Sequence, residues 1–331
     1  MALTVYGDIS PSTAAAANVV MLKRGEPHLV LQPLGQAKPL AKNQGQTQTF
    51  RRYERLSAAT TAITEGVTPS GSTPTVTPYQ ATLAQYGDYL ELTDVIVDTH
   101  TDPVLAEYSG MIGEQAALTV ETVLYNILKA GTNLFRANGA QRTDINTPYT
   151  LALQRKAVRS MQRQLARPYT SKIASTPAFN TENVAGGFVA AIHPDMIPTI
   201  RGMQNFQDAR DYKATWNSEL GAVEDVRYIV STIIEPWADG GGTKAGSGTT
   251  MISTTGTSAD VYPVLIFAPD AFGIVPLKGA NAMTPIVLNP NVPRGGDPLA
   301  QRGSVGWKTY FTGVILNQSW MARVECAVPE L

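Results

Sequence analysis

The sequence has 331 residues, enough for about two domains of ordinary size or one domain with long extensions. Hydrophobic residues make up 43% and exclude wholesale disorder, while charged residues are only 16%, against roughly 25% in an average soluble domain. The net charge of −1 argues against a dedicated high-affinity nucleic-acid binder, and the single cysteine, Cys326, excludes an intrachain disulfide framework.

Residues 1–45 are predicted to form an arm that cannot bury enough surface alone and lies across some other surface. Their longest apolar run, 14–22, is far shorter than the roughly 20 residues that a membrane span requires. Lys23 and Arg24 follow this run, whereas a signal peptide carries its positive charges first, so a short helix in a soluble, non-exported protein is expected. A continuous helix further on is prevented by Pro27, Pro33 and Pro39.

Residues 46–97 predict a long β-hairpin, because extended runs at 46–56 and 82–97 flank a connection of about 25 residues rich in Thr, Pro, Gly and Ser. A pairing centred near Gly71 would set Arg51 opposite Glu91, but it would also set Glu54 against Asp88, a like-charge pair. A two-stranded ribbon is marginally stable in water. We therefore expect it to lie on a neighbouring subunit.

Residues 102–131 predict one long helix, with Asp102 as cap and Gly131 as stop. At 1.5 Å per residue it would be roughly 42 Å long. Its apolar stripe is predicted to comprise Leu105, Tyr108, Ile112, Ala116, Thr119, Val123 and Ile127. A second helix over 149–166 is predicted to bury Leu151, Val158, Met161 and Leu165. Its other side carries a basic stripe of Arg155, Lys156, Arg159 and Arg163.

Beyond residue 168 the pattern changes to short strands and helices. Strands are predicted at 186–194, 226–234 and 262–277, with long antiparallel strands in 303–328. The Gly-, Ser- and Thr-rich segment 238–260 predicts a flexible loop. The fold class expected from these elements is α+β.

Charge is divided unevenly along the chain. Residues 57–128 hold nine acidic residues and no Lys or Arg, whereas 129–172 hold nine basic residues and one acid. Two solvated faces would explain this pattern, and so would attraction between neighbouring copies. Contact of the basic stripe with phosphates is a weaker third explanation.

No catalytic, metal or cofactor motif is present in the sequence. The three histidines, His28, His100 and His193, form no HExxH motif, and no GxSxG elbow exists. The glycines at 240–242, 246 and 248 do not fit a phosphate-binding loop. His100 and Asp102 could in principle bind a metal, but Asp102 is better explained as a helix cap. We therefore predict a structural protein rather than an enzyme, without cofactor or metal.

Seven ordered runs resemble a known family. They are RRYERLSAATTAITEGVTP (51–69), QYGDYLELTDVIVDTHTDPVL (85–105), GEQAALTVETVLYNILKAGTN (113–133), HPDMIPTIRGM (193–203), GAVEDVRYIVST (221–232), EPWADGGG (235–242) and YPVLIFAPDAFGIVPLKG (262–279). They closely resemble the major capsid proteins of N-four-like podoviruses, which have the Hong Kong 97 coat-protein fold. The resemblance implies an N-terminal arm (1–45), an extended loop (46–97), a peripheral domain with the spine helix (98–170), an axial domain (171–285) and C-terminal strands that return to the peripheral domain (286–331).

The resemblance also implies a function. Copies would assemble into hexamers and pentamers of an icosahedral head enclosing double-stranded DNA, formed in the host cytoplasm and without a membrane. A scaffolding protein, expected because no long helical leader precedes the arm, a portal and a decoration protein are further candidate partners. The alternatives are another virion structural protein or a cellular encapsulating shell of the same fold. Some coat proteins of this fold cross-link a loop lysine to an asparagine, which is impossible at this loop because 57–128 has no lysine.

Three sets of residues are predicted to make the contacts of such a shell. The extended loop would contact a neighbour through Arg51, Arg52, Arg55, Glu65, Pro69, Gly71, Pro74, Asp88 and Glu91. The basic stripe would face a neighbour or the inner surface through Arg155, Lys156, Arg159 and Arg163. A loop at the capsomer centre would contain Gly240, Gly241, Gly242, Gly246 and Gly248.

Overall fold

The protein has a mixed α+β fold, as predicted, in which a long helix lies beside two sheets. The computed structural model describes residues 24–25, 28–41, 43–68, 70–99, 104–169, 186–211, 214, 216, 218–246, 249–277, 283–288, 290 and 296–330. The predicted helix over 14–22 and the predicted cap Asp102 lie outside these residues. The α-helices are Asp94–Thr99, the spine helix Val104–Lys129, the amphipathic helix Leu151–Arg163 and Ile197–Arg201.

The strands are named in chain order. They are β1 (Gln36–Ala37), β2 (Thr47–Tyr53), β3 (Val76–Thr82), β4 (Ala84–Thr93), β5 (Leu134–Arg136), β6 (Phe188–Ile192), β7 (Phe206–Asp208), β8 (Glu219–Val223), β9 (Val226–Val230), β10 (Ala245–Gly246), β11 (Thr249–Thr250), β12 (Tyr262–Phe267), β13 (Phe272–Pro276), β14 (Met283–Leu288), β15 (Arg302–Ile315) and β16 (Met321–Cys326).

The first sheet has five strands and carries the spine helix. Its long strand β15 pairs antiparallel with β13, β14 and β4, and β1 joins β13 in parallel. The spine helix approaches β15 closely at Gly313, where an added Cβ would lie 2.9 Å from Leu124 Cδ1. The absence of a side chain at this position lets the helix lie close against the strand.

The second sheet has seven strands in the order β5-β16-β12-β6-β9-β8-β7. Its strands β6 and β12 are buried along their whole length, as strands covered on both faces are. The amphipathic helix covers one face with Leu153, Ala157 and Met161. The spine helix covers the other, where Leu124 and Leu128 share a cluster with Phe267.

The spine helix matches the predicted helix, but its buried stripe differs from the predicted one. Ile112 and Ala116 are buried as expected, whereas Thr119, Val123 and Ile127 are half-buried. The buried apolar side chains further along include Ala117, Val120, Leu124, Tyr125 and Leu128. The stripe is displaced because this half of the helix packs against both sheets and the arm, rather than against one surface.

Two predicted strand regions are each divided between the sheets. The predicted strand 262–277 breaks at Pro269 and Asp270, and Asp270 has a positive φ of 59°. This turn sends β12 into the seven-stranded sheet and β13 into the five-stranded sheet. The C-terminal run divides in the same way, because β15 belongs to the five-stranded sheet and β16 to the seven-stranded sheet. The sheets therefore cross the domain boundaries that the resemblance implies, and those boundaries stay predictions.

The predicted hairpin exists, but the register and the second strand that were predicted for it are wrong. Arg51 pairs with Pro78, and Tyr53 pairs with Val76, so the hairpin is formed by β2 and β3 alone. The strand β4 instead pairs with β15, where Glu91 lies opposite Ser304. The reason is burial: Leu92 of β4 packs with Trp307 and the spine helix, a far larger apolar surface than polar β2 offers. Residues 94–97, predicted as strand, belong to the helix Asp94–Thr99.

Two smaller predictions are also corrected. The amphipathic helix ends at Arg163, and Leu165, predicted to be buried, is exposed with a positive φ of 61°. The described part of the predicted flexible loop 238–260 is tied down by backbone hydrogen bonds. Gly241 N–H donates to Ala259 O, and Gly242 N–H donates to Ile145 O, both at 2.9 Å.

The described part of the arm is fastened to the spine helix by one buried carboxylate. Leu31 N–H donates to Glu121 Oε2 at 3.0 Å, and Gln32 N–H donates to Oε1 at 3.1 Å. These N–H groups begin the 3-10 helix Gln32–Leu34, where no backbone acceptor is available to them. Burial raises the pKa of Glu121 to about 7, against the opposing effect of the N–H donors. Across the described residues, no cation pairs with Glu121.

Glu121 is expected to give the fold a pH-dependent stability. Because the folded chain holds this proton more tightly than the unfolded chain, the contribution is full below pH 4.5 and is lost as pH rises towards 7. In urea titrations from pH 4 to 8, Glu121→Gln should therefore gain stability relative to wild type by on the order of 3 kcal/mol. Two parallel pH profiles would contradict this assignment.

Candidate inter-subunit surface

One face of the hairpin is anchored on the body of its own subunit. Phe50 on β2 is only 4% exposed and lies over Gly273, where an added Cβ would be 2.7 Å from its Cζ. Its cluster also contains Leu40, Leu83, Val275 and Leu316. Lys38 Nζ donates to Thr49 O at 2.7 Å and adds a polar link. The base of the hairpin is therefore fixed in direction by β13.

The other face of β2 points into solvent. Tyr53 is 67% exposed, and Arg51 and Arg55 are exposed beside it. Arg52 is different, because its Nη2 donates to Glu54 Oε2 at 3.0 Å. Glu54 also accepts from the Thr77 hydroxyl at 3.3 Å across the hairpin. Of the three predicted arginines, Arg51 and Arg55 have no ion pair within the described residues and present their charge outward.

The connection between β2 and β3 has no helix or strand, and its described residues 55–68 and 70–75 are all exposed. A turn at Glu65 and Gly66, with Gly66 at φ 78°, is supported by the Val67 N–H bond to Thr64 O. The predicted residues Glu65, Gly71 and Pro74 lie here, whereas Pro69 is outside the described residues. Sequence analysis missed three exposed apolar side chains in this connection, Leu56, Ile63 and Val67. The signal that could have revealed them is the recurrence of large apolar residues within a Thr- and Pro-rich stretch.

The structure separates Asp88 and Glu91 from the hairpin. Asp88 accepts from Gln115 Nε2 of the spine helix at 2.6 Å, and this bond lowers the pKa of Asp88. Between these two acids, Tyr89 is 62% exposed and lies over Gly306. With Ile286 and Leu288 of β14 it forms an exposed apolar sheet face, which sequence analysis also missed. Its three strands are brought together only by the register of β15 with β4 and β14.

The predicted basic stripe is reduced to three free cations. Arg155 Nε donates to both carboxylate oxygens of Glu224, at 3.1 and 3.0 Å, and this pairing lowers the pKa of Glu224. Lys156, Arg159 and Arg163 are exposed and have no ion pair within the described residues. Arg163 borders a groove of about 1650 Å³ that also contacts the hairpin.

The predicted capsomer-centre glycines are packed rather than free. An added Cβ at Gly241 would lie 2.3 Å from Ile145 O, and one at Gly242 would lie 3.1 Å from Asp144 O. Gly240 is similarly close to Trp237, and Gly246 belongs to the short strand β10. Gly248 lies outside the described residues. Their position at a capsomer centre stays a prediction.

The described residues contain neither a metal-binding cluster nor a helix that could cross a membrane. No group of three or more His, Cys, Asp or Glu side chains there could hold a metal ion. His100 and Asp102, considered as metal ligands, lie outside that part of the chain. None of the described helices combines the length and the apolar character needed to cross a membrane.

Comparison with known proteins identifies the family. A family model described as phage capsid protein matches residues 76–324, well over half of the chain. The chain belongs to the phage capsid protein family. The prediction of a major capsid protein that forms the head shell of a bacteriophage is therefore confirmed, and its place is the virion. No curated protein matches this capsid protein significantly in sequence.

Solved capsids share the fold of this capsid protein at low sequence identity. The capsid of Ralstonia phage GP4 matches with a TM-score of 0.65 at 10% identity, over 90% of this chain and 88% of that chain. The head of Helicobacter pylori bacteriophage KHP40 matches with 0.61 at 10% identity, over 91% of both chains. A virus-like particle from Pyrococcus furiosus matches with 0.50 at 10% identity, over 94% and 98%. The predicted Hong Kong 97-type fold is confirmed by such matches.

The two faces of β2 should respond differently to truncation. Phe50→Ala removes a buried ring from the hairpin base and should lower the free energy of unfolding of the unassembled chain by about 3 kcal/mol. Tyr53→Ala, three residues away on the exposed face, should change it by less than about 0.5 kcal/mol. Urea unfolding followed by circular dichroism would measure both. Equal losses would show that Tyr53 also packs on its own subunit.

Proposed function

We propose that this capsid protein assembles into hexamers and pentamers of an icosahedral head around double-stranded DNA, and that its hairpin lies on a neighbouring copy. The observation that supports the hairpin contact best is the connection between β2 and β3. It exposes Leu56, Ile63 and Val67 on a segment whose described residues form one local turn but no helix or strand. Ordering such a backbone costs about 1–2 kcal/mol per residue, so a second surface has to supply the compensation.

A second copy of the chain is the partner that we favour. The groove beside the hairpin and the exposed face around Tyr89 each offer apolar surface without an intrachain cover in the described residues. Obligate interfaces of this kind bury more than roughly 2,000 Å². Since the same surfaces recur on every copy, head-to-tail contacts between them close into rings.

The other partners are proposed on less direct grounds. A separate scaffolding protein, a portal and a decoration protein follow from the resemblance to capsid proteins of N-four-like podoviruses, as does assembly in the host cytoplasm. That subtype itself is part of the proposal and is supported by the seven runs quoted above. A non-enzymatic role is supported by the capsid family match.

A cellular encapsulating shell of the same fold is the competing proposal, and the likeness to the Pyrococcus furiosus particle motivates it. The phage capsid family match favours a viral head. Purified native particles would separate the two. A phage head should contain one long double-stranded DNA, whereas a cellular shell should contain protein cargo.

Shortening the exposed connection should block assembly without unfolding the subunit. Replacing residues 56–74 by a short Gly-Ser turn keeps both β2 and β3, so Phe50 stays anchored. We expect an unchanged thermal unfolding midpoint within about 2 °C, because the described residues among those removed are exposed, but no closed shells. Sedimentation and electron microscopy would measure assembly. Normal shells would refute the hairpin contact while leaving the capsid family assignment intact.

The basic stripe is expected to promote assembly through its three cations without an ion pair in the described residues. Reversing Lys156, Arg159 and Arg163 to Glu leaves the Arg155–Glu224 pair intact and should reduce shell yield at least tenfold, if the stripe meets acidic surface of a neighbour. The matched control is Arg155→Gln, which breaks a solvent-exposed ion pair of little consequence for stability and should assemble normally. Wild-type yield from the triple reversal would show that the stripe is a solvated face.

A further inference from the structure

Four cationic side chains meet at the C-terminal end of the spine helix. They come from separate elements: Lys129 ends the helix, Arg136 lies on β5, Arg142 follows it and Arg323 lies on β16. Three of them contact Trp237, and Arg136 is linked to the others through Glu325. The Arg142 guanidinium carbon lies 3.7 Å from the centre of the Trp237 ring, Lys129 Nζ lies 4.4 Å away and the Arg323 carbon 5.8 Å.

These cations are not balanced by carboxylates. Glu325 is fully buried among them, with Oε1 2.7 Å from Arg142 Nη2 and 3.3 Å from Arg323 Nε, and Oε2 3.6 Å from Arg136 Nε. The other nearby carboxylate is Glu235, which is exposed and acts on Lys129 from a distance. Four positive charges therefore face two negative charges, an excess of two.

Part of the hydrogen-bonding capacity of the cluster is unused. Arg323 donates to Lys129 O, and Arg136 Nη1 donates to Ala140 O at 2.7 Å. By contrast, Lys129 Nζ has no hydrogen-bond acceptor within the described residues and contacts only the rings of Trp237 and Tyr125. Burial and the neighbouring Arg142 lower the pKa of Lys129, which shows that its charge is held at a cost.

A structural role alone does not explain this arrangement. Clamping the helix end to β16 needs Arg323 and Glu325, and neutralising Glu325 needs one cation. Two further half-buried cations add mutual repulsion without adding a close carboxylate. Such an excess is stabilised when an anion enters, and guanidinium groups suit the oxygens of phosphate especially well.

We propose that the cluster of Lys129, Arg136, Arg142 and Arg323 around Trp237 binds a phosphate group. An excess of two charges matches a phosphate better than the single charge of a carboxylate from another chain. The phosphate can be a free ion or part of the backbone of duplex DNA, since both present the same oxygens. This site is separate from the hairpin surface and does not depend on the proposed assembly contacts.

The test uses the full-length chain, with its assembly state followed by sedimentation. Sodium phosphate should raise the thermal unfolding midpoint more than sodium chloride of equal ionic strength, with a saturable dependence on concentration. Lys129→Gln breaks no hydrogen bond of the Lys129 ammonium within the described residues, so the variant should fold and bind phosphate about tenfold more weakly. Arg142→Gln should bind more weakly still. The matched control is Arg302→Gln, which removes one exposed positive charge outside both the cluster and the basic stripe and should leave phosphate binding unchanged.

A short DNA duplex in chloride buffer distinguishes the two sources of phosphate. Duplex binding that Lys129→Gln weakens and Arg302→Gln does not would identify the DNA backbone as a ligand. A response to inorganic phosphate alone would identify a site for the free ion. The proposal is overturned if neither phosphate nor duplex DNA has an effect beyond that of chloride. It is also overturned if Lys129→Gln and the control variant lose binding equally.

Discussion

The packing of the spine helix between two sheets is the interaction on which the rest of this structure depends. Leu124 and Leu128 share one buried cluster with Phe267 of the seven-stranded sheet and Phe272 of the five-stranded sheet. The same helix receives the arm through Glu121, so the arm and the segment 267–272, which are far apart in sequence, meet along it. Each fully buried large apolar side chain contributes roughly 1.5–3 kcal/mol, and in the described residues the hairpin supplies one such side chain, Phe50 at its base. The body of the subunit is thus self-sufficient in apolar contacts, whereas the hairpin is not.

This division explains how one chain can be both a folded unit and a component of a shell. Because Phe50 packs over Gly273 of β13, the hairpin leaves the body in a fixed direction set by the five-stranded sheet. Beyond Tyr53 the chain leaves that support and exposes apolar side chains. A fixed base with an unsupported end presents one surface in one direction, which is what a repeating contact between identical copies requires.

The sequence could predict elements whose signals are local. The spine helix was visible from its spacing and its stop at Gly131, and the extended loop from its composition. The pairing partner of each strand could not be predicted from local signals. The sequence of β4 suits a strand of the hairpin, but Leu92 packs against Trp307, more than 200 residues away. The break at Asp270 was hidden for a related reason, since both halves of 262–277 are equally apolar. Likewise, the four cations around Trp237 are scattered from 129 to 323, and only the folded sheet brings them together.

The near-zero net charge of the chain conceals how its charges are distributed. Arg155 is matched by Glu224 and Arg52 by Glu54, so these cations contribute little to the field outside the subunit. The cations around Trp237 differ, because Glu325 neutralises only one of them. Phosphate binding that is confined to one site for each subunit would hold DNA at discrete points, with a much weaker salt dependence than a uniformly basic surface would have. A shell that has to enclose and release DNA would be served by such a site, since the affinity of each contact would be set by a few half-buried side chains rather than by total charge.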